Sequence, residues 1–313
     1  MDESPVDALV IGAGPAGLTA ALYLTRFKRR VRVVHDGTAR ALWVPRTRNV
    51  PGFPDGIVGK KLIERMTDHA LRYGAEIVFG RVAALERATG HYRATLEDGA
   101  AIAARGVILA TGVDTNLARL DEGDHMTAVR DGVLRYCPIC DGFEHRDERI
   151  AVLGSDLHGA AEAMFLRQFS RHVTLIPKWR VALSDAQREE LAQSDVIVLE
   201  RHVERLVAHS RDIAVQMRGE PVARRFDILY PAFGSRPRNE LAAALGLLAD
   251  DADAGCMPFH AFSDGLLPGL YAAGDVVAGL DQISVAMGQG AMAATRLHNW
   301  LREAEGHLMA DQD

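Results

Sequence analysis

Two of the chain's three cysteines stand two residues apart, in Tyr136-Cys137-Pro138-Ile139-Cys140-Asp141-Gly142. At this spacing two thiols can close a small disulfide ring with little backbone movement. One thiolate can attack a partner's disulfide while the other resolves the mixed intermediate. A C-x-x-C beside βαβ signals reads as a redox pair. Two other readings compete with it. Half of a zinc site would need a second Cys or His pair at similar spacing, and only Cys256 remains, with no suitably spaced pair of histidines. An incidental pair would carry no chemistry. The redox reading fits the surroundings best, and no metal is expected.

A second constellation lies near the N-terminus. Ala8-Leu9-Val10-Ile11 is a buried-strand signal, and it runs into Gly12-Ala13-Gly14-Pro15-Ala16-Gly17. This G-x-G-x-x-G sits where a strand gives way to a helix, predicted over Leu18 to Phe27. Gly12 permits the tight turn, and Gly14 lets backbone approach a pyrophosphate. Gly17 lets helix and strand pack closely, and the helix N-terminus faces the phosphates. Asp36, at the end of the next strand, is positioned to bind a ribose hydroxyl. Two later strands end in tight turns of their own, at Ala110-Thr111-Gly112 and at Gly274-Asp275. Asp275 would face a cofactor's sugar or polyol; an Asx turn or helix cap is the alternative.

The elements that must position these residues alternate between strand and helix. An amphipathic helix is predicted over Leu62 to Tyr73, and a long helix rich in small residues over Gln282 to Trp300. A second strand–turn–helix–strand unit follows the cysteines, from Ile150 to Ile176. Its turn reads Gly154-Ser155-Asp156-Leu157-His158-Gly159, so Asp156 stands where a second glycine would admit phosphate. Further strands are predicted over Val196 to Leu199, Ala214 to Met217 and Phe226 to Tyr230. Cys256 is expected in a hairpin and is given no chemistry. With 313 residues and 48% hydrophobic content, the chain can bury two cores. A net charge of −6 with dispersed arginines argues against a nucleic-acid footprint. Met1-Asp2-Glu3-Ser4 has no basic run ahead of an apolar segment, and no stretch is long enough to span a bilayer. A soluble cytoplasmic protein is expected, with no membrane partner.

Taken together, Gly12 to Gly17, Ala110-Thr111-Gly112, Cys137-Pro138-Ile139-Cys140-Asp141-Gly142 and Tyr271 to Asp275 resemble the low-molecular-weight thioredoxin reductases. The resemblance covers nearly the whole chain. It implies an α/β fold of two Rossmann-like, three-layer ββα dinucleotide-binding domains, the second inserted into the first. The FAD domain would comprise residues 1–114 and 244–313. An NAD(P)H-binding-like domain over 115–243 would carry the cysteines. A homodimer is also implied. Gly12, Gly14, Pro15, Ala16 and Gly17 would cradle the FAD pyrophosphate, with Asp36 on the adenosine ribose. Ala110, Thr111, Gly112 and Gly274 would border the cofactor, and Asp275 would bind the ribitol. Gln282 and Ile283 would lie near the flavin ring. Cys140 would be the thiol next to the flavin, Cys137 the thiol offered to the partner, and Asp141 the acid that moves a proton.

The departures from that pattern shape the functional expectation. NADPH-dependent members carry G-x-G-x-x-A at the second turn and a His-Arg-Arg run for the 2′-phosphate. Here the corresponding places read Gly154 to Gly159 and Pro177-Lys178-Trp179. Asp281 stands where an arginine is usual before the glutamine. Gly142-Phe143-Glu144, Arg48-Asn49 and Gly234-Ser235-Arg236-Pro237 resemble the branch containing the gliotoxin and holomycin dithiol oxidases. The expected activity is an FAD-dependent thiol–disulfide oxidoreductase with poor or no use of NADPH. Its partner would be a thioredoxin-like protein or a small-molecule dithiol or disulfide. An NADPH-dependent thioredoxin-disulfide reductase is the first alternative, and a non-enzymatic flavin redox sensor is one of another class.

Overall fold

A computed structural model describes residues 4–248 and 255–307. Strand β1 (Val6–Ile11) turns at Gly12 into α1 (Pro15–Arg26) and returns as β2 (Val31–His35). A loop with a short 3-10 turn leads to α2 (Gly59–Arg72), β3 (Glu76–Phe79) and a meander of β4 (Val82–Ala88), β5 (His91–Leu96) and β6 (Ala101–Leu109). These strands form one sheet in the order β3-β2-β1-β6-β5-β4. The long β6 serves two neighbours on one edge. Its first half pairs antiparallel with β5, and its second half pairs parallel with a strand from far downstream, Leu270–Ala272. Both ends of the chain therefore build this sheet. Helix α2 begins at Gly59, earlier than predicted, because the helix starts hard against the preceding loop. A Cβ on Gly59 would lie 1.9 Å from the Ala41 carbonyl oxygen.

The chain leaves this unit through β7 (Val113–Thr115) and enters α3 (His125–Asp131) and the short α4 (Pro138–Asp141). Then follow β8 (Arg149–Leu153), α5 (Leu157–Arg167), β9 (His172–Ile176), α6 (Asp185–Gln193) and β10 (Ile197–Val198). Next come the meander β11 (Val203–Ala208), β12 (Ile213–Met217) and β13 (Arg224–Phe226), then β14 (Ile228–Pro231). A second parallel sheet has the order β10-β9-β8-β14. The chain returns through β15 (Ser235–Pro237), which pairs antiparallel with β7, so the outgoing and returning strands form a two-stranded ribbon. Helix α7 (Glu240–Ala244), β16 (Leu270–Ala272) and α8 (Ile283–Ala304) complete the first unit.

Each sheet carries its own buried core. Leu9, Leu18, Leu24, Ile108 and Leu297 belong to the first, and Ile150, Leu166, Leu175 and Tyr230 to the second. The apolar run Phe226 to Tyr230, expected as one strand, is divided between two sheets. The break falls at Asp227, whose carboxylate accepts the backbone N–H and the guanidinium of Arg149. That pairing pins β14 to the start of β8 and frees β13 to join the meander. Cys256 is not in a hairpin among the described residues; its neighbour Met257 forms a parallel bridge to Val277. Residues 1–3, 249–254 and 308–313 of the expected FAD domain lie outside the described residues. Among the described residues no helix is long and apolar enough to cross a membrane.

Candidate redox and cofactor cleft

The glycines of the first βα turn do distinct work. A Cβ on Gly12, at φ 113°, would lie 2.1 Å from the Ala110 carbonyl oxygen, and one on Gly17 would lie 1.9 Å from the Gly12 oxygen. These two permit close packing of backbone on backbone. Gly14 has only the Ala39 methyl near its Cβ position, at 3.9 Å, so its open side faces space. It heads α1 without any side-chain cap, leaving the first N–H groups of the helix directed outward. That is what an anionic group needs.

The second βα turn retains the packing and loses the opening. Cβ atoms on Gly154 and Gly159 would lie 2.8 and 2.9 Å from each other's Cα, so both glycines still bring helix to strand. Asp156, however, caps α5, its Oδ1 accepting the Gly159 N–H at 3.2 Å. The chain's own carboxylate fills the anion position. Across the adjoining cleft the Trp179 N–H donates to Ser155 Oγ at 2.9 Å. Lys178 Nζ is directed at rings, 4.3 Å from the Phe233 centroid and 5.2 Å from that of Trp179.

A cleft of about 370 Å³ runs from the first turn to the cysteines. Every site residue expected from the sequence lines it, Gly17 excepted, which lies on the inner face of α1 against Gly12 and Val10. Cys137 and Cys140 form a disulfide, with Cα atoms 5.3 Å apart. The segment holding them is fixed at several points. Leu134 bridges to Leu229 of β14, and Pro138 opens the single helical turn. Gly142 rests against Phe169 and Leu166, where a Cβ would come within 2.9 Å of the Phe169 ring.

Asp141 is tied into the second unit. Its Oδ1 accepts the Tyr230 hydroxyl at 2.8 Å, and its Oδ2 lies 2.8 Å from Arg135 Nε, which is buried without hydrogen-bond alignment. Burial pushes the Asp141 carboxyl above the ordinary range, against the pull of Arg135 and Tyr230. Beside Cys137, the Tyr136 hydroxyl accepts the Ala118 N–H at 3.0 Å and lies 2.8 Å from His125 Nε2. Burial pushes that phenol up to about 12.

At the far side, Asp275 sits at the turn after β16. Burial and the neighbouring Asp281 push its carboxyl up to about 6, with Arg40 opposing. Arg40 Nη1 donates to both, at 3.3 Å to Asp275 and 2.8 Å to Asp281. Asp36 accepts the N–H and hydroxyl of Thr38 and lies 3.7 Å from the Arg238 guanidinium. Despite burial, those contacts hold its carboxyl below the usual value.

Two residues the sequence reading missed, Gln289 and Arg238, complete the site, and an expected one, Gln282, makes a contact that was not foreseen. Gln289 is buried on α8, and its Oε1 accepts the Gly274 N–H at 2.8 Å, fixing the turn that presents Asp275. Arg238 joins Asp36 to Asp114 on the connecting ribbon, with Nη2 2.6 Å from Asp114 Oδ1. Gln282 reaches the disulfide itself, its Nε2 3.5 Å from Cys137 Sγ and 3.6 Å from Cys140 Sγ. A contact between Gln282 and the cysteines, 142 residues apart from Cys140, has no local signature. Among the described residues no group of three or more His, Cys, Asp and Glu side chains is arranged for a metal ion.

Comparison with known proteins accords with this geometry. The family model for pyridine nucleotide-disulphide oxidoreductases matches residues 6–290. A thioredoxin reductase of Streptomyces coelicolor is 31% identical over 283 residues, covering 87% of this chain and 86% of its own. One from Mycolicibacterium smegmatis is 29% identical over 310 residues, covering 96% and 97%. Among solved structures, HlmI superposes with a TM-score of 0.88 at 30% identity over 98% of this chain and 95% of its own. Thioredoxin reductase from Streptococcus pyogenes MGAS5005 gives 0.86 at 25% identity, over 96% and 100%. With a disulfide and an uncapped helix N-terminus lining one cleft, and a family match over residues 6–290, this protein is a member of the pyridine nucleotide-disulphide oxidoreductase family, a flavoprotein disulfide oxidoreductase similar to thioredoxin reductase.

Proposed function

We propose that the chain exchanges electrons between FAD, the Cys137/Cys140 pair and an external dithiol or disulfide, with little use of NADPH. The observation that carries this reading is the sharing of one cleft by the disulfide, the uncapped N-terminus of α1 and the half-buried carboxylate of Asp275. Those groups suit FAD. Gly14 and the first N–H groups of α1 would meet the pyrophosphate, with Pro15 and Ala16 beside it. Asp36 would meet the adenosine ribose and Asp275 the ribitol. Ala110, Thr111, Gly112 and Gly274 would border the cofactor, and Gln282 and Ile283 would lie beside its ring. When bound, the flavin accepts or supplies the electron pair that a dithiol–disulfide couple exchanges. Cys137 takes part in exchange with the external partner, Cys140 faces the cofactor, and Asp141 holds or releases a proton at its carboxylate. The sequence-derived FAD domain, 1–114 with 244–313, and the inserted 115–243 belong to this proposal, as do a homodimer and a cytoplasmic setting.

The second turn supports the restriction on NADPH, because Asp156 occupies the helix N-terminus that a pyrophosphate needs. An NADPH-dependent thioredoxin-disulfide reductase is the second reading, favoured by the thioredoxin reductases among the relatives. An anaerobic titration of the purified protein separates the two. Dithiothreitol is expected to bleach the flavin absorbance, and equimolar NADPH or NADH to leave it nearly unchanged. A colourless protein that gains no FAD on incubation would overturn the whole reading.

A further inference from the structure

Gln282 stands immediately before α8 and spans the cleft to both sulfurs of the disulfide. A carboxamide can present either its oxygen or its nitrogen, and the end that meets sulfur is decided by what holds the other end. Here Asn49 Nδ2 donates to Gln282 Oε1 at 2.9 Å. The amide of Asn49 is fixed in turn, because its Oδ1 accepts the hydroxyl of Thr47 at 2.8 Å. Thr47 is 2% exposed. Its backbone N–H and carbonyl are both bonded to Ile57, at 2.8 Å each. The hydrogen bonds run from the Thr47 hydroxyl through Asn49 to Gln282 and end in an N–H directed at sulfur, with Gln282 Oε1 farther off, 3.9 Å from Cys140 Sγ.

We propose that Gln282 is a catalytic residue whose Nε2–H stabilises the thiolate of Cys140, and that Thr47 and Asn49 are positioning residues that keep the donor turned to it. The inference rests on the proposed dithiol–disulfide exchange. In that exchange the external dithiol is oxidised to its disulfide and the Cys137–Cys140 S–S bond breaks. Of the two protons the dithiol gives up, one goes to Cys137 and one to solvent, leaving Cys140 as thiolate. An N–H facing that sulfur lowers the pKa of its thiol, as any hydrogen bond to the charged form does. The charged groups around the pair come from several elements. Asp141 and Arg135 flank it on its own segment, Glu144 faces Arg48 at the rim, and Asp275 and Asp281 share Arg40 across the cleft. Tyr136 is directed at His125. Each carboxylate has a guanidinium beside it, so an uncharged replacement of Gln282 leaves these pairs in place.

The test is the pH dependence of Cys140 alkylation by iodoacetamide in the full-length protein carrying Cys137→Ser. Following the Cys140 peptide by mass spectrometry keeps Cys256 from contributing. Gln282→Leu is expected to raise the midpoint by about one pH unit, a tenfold loss of thiolate at a fixed pH below it. Gln282→Glu should raise it further, since a carboxylate then faces the thiolate. Asn49→Ala, at an exposed position, should raise it by less, and it carries the test if the Gln282 variants do not fold. Midpoints of Gln282→Leu and Asn49→Ala equal to that of the Cys137→Ser parent would overturn the inference; for Asn49→Ala alone the same equality decides it. The reading beneath is tested apart, by flavin bleaching with dithiothreitol in the unsubstituted protein. If that fails while the midpoints move, the function is wrong and the sulfur-directed donor stands.

Discussion

Tyr230 donates its hydroxyl to Asp141 across 2.8 Å, linking a core strand of the second sheet to the residue that follows Cys140. Tyr230 is fully buried, and Asp141, half-buried, is also paired with Arg135. A carboxyl raised by burial keeps its proton to higher pH than an exposed one. That suits a group that hands a proton to a sulfur during exchange. Asp141→Asn is expected to retain flavin and fold while slowing dithiol–flavin exchange by about 10²-fold. Tyr230→Phe removes a donor to the ionised form, so it should move the Asp141-dependent limb of the pH–rate profile upward. Stopped-flow reduction by dithiothreitol from pH 5 to 9, at roughly the working span of such a profile, checks both. Unchanged rates in Asp141→Asn would assign the proton transfer to water or another group.

The two cysteines should separate by spectrum. Cys137→Ser leaves Cys140 as a lone thiol in the cleft, and a long-wavelength charge-transfer absorbance with oxidised flavin is expected. Cys140→Ser should lack that band and should block electron exchange between flavin and an external dithiol. Absorbance spectra of the two variants decide the matter, and the band appearing in Cys140→Ser instead would reverse the inner and outer assignments.

Asp275 should leave a mark on stability. Its carboxyl is pushed up from 3.8 to about 6 by burial and Asp281. Between those values the folded chain binds more protons than the unfolded chain, so stability falls as pH rises through the window. Below it both states are protonated and the contribution is complete; above it the contribution is lost. Flavin-depleted protein should therefore lose stability as pH rises from about 4 to about 6, and Asp275→Asn should flatten that part of the curve. Urea denaturation at several pH values measures the slope. Asp275→Asn should also weaken FAD binding, since the turn held by Gln289 would no longer present an anion to a polyol.

Local chemistry explains which parts of this molecule were legible in the sequence. Gly12, Gly14 and Gly17 announce a βα turn because backbone packing leaves no room for side chains at two of them. The Cys137–Cys140 spacing announces itself for the same local reason. Contacts between distant segments left no such trace. Arg40 comes from a distant loop, and only the fold brings it to Asp275 and Asp281. An aspartate before Gln282 looked like a simple departure from an arginine-bearing pattern; in the structure it shares an arginine delivered from residue 40. Gln289 sat among small residues of an apparently featureless helix, and its function depends on a turn 15 residues away. The division of Phe226 to Tyr230 between two sheets was hidden because both halves are apolar, and the paired Asp227 that separates them looks like any surface charge.

The last expectation concerns the second turn, where NADPH should reduce the flavin poorly. A pyrophosphate needs free N–H groups at the start of α5, and the Asp156 carboxylate already accepts the Gly159 N–H. Two like charges about 4 Å apart at an effective dielectric near 20 repel by roughly 4 kcal/mol, an upper figure for a partly exposed turn. The grip on a 2′-phosphate is also weak. Pro177 offers no donor, and Lys178 is directed at the Phe233 and Trp179 rings, giving a point charge without the two-pronged geometry of arginine. Stopped-flow mixing of oxidised protein with millimolar NADPH under argon, at about the upper end of ordinary KM values, should leave the flavin oxidised over seconds. Rapid bleaching would favour the NADPH-dependent reductase. The converse experiment is constructive. Asp156→Gly with Pro177→His, Lys178→Arg and Trp179→Arg should confer measurable reduction by NADPH. The first change costs little at a helix cap, where glycine replaces aspartate for a few tenths of a kcal/mol, of order 0.3. Trp179 is 67% exposed and holds Ser155 through its backbone, so its replacement keeps that contact. A folded quadruple variant that still ignores NADPH would mean that a feature other than these four positions excludes the nucleotide.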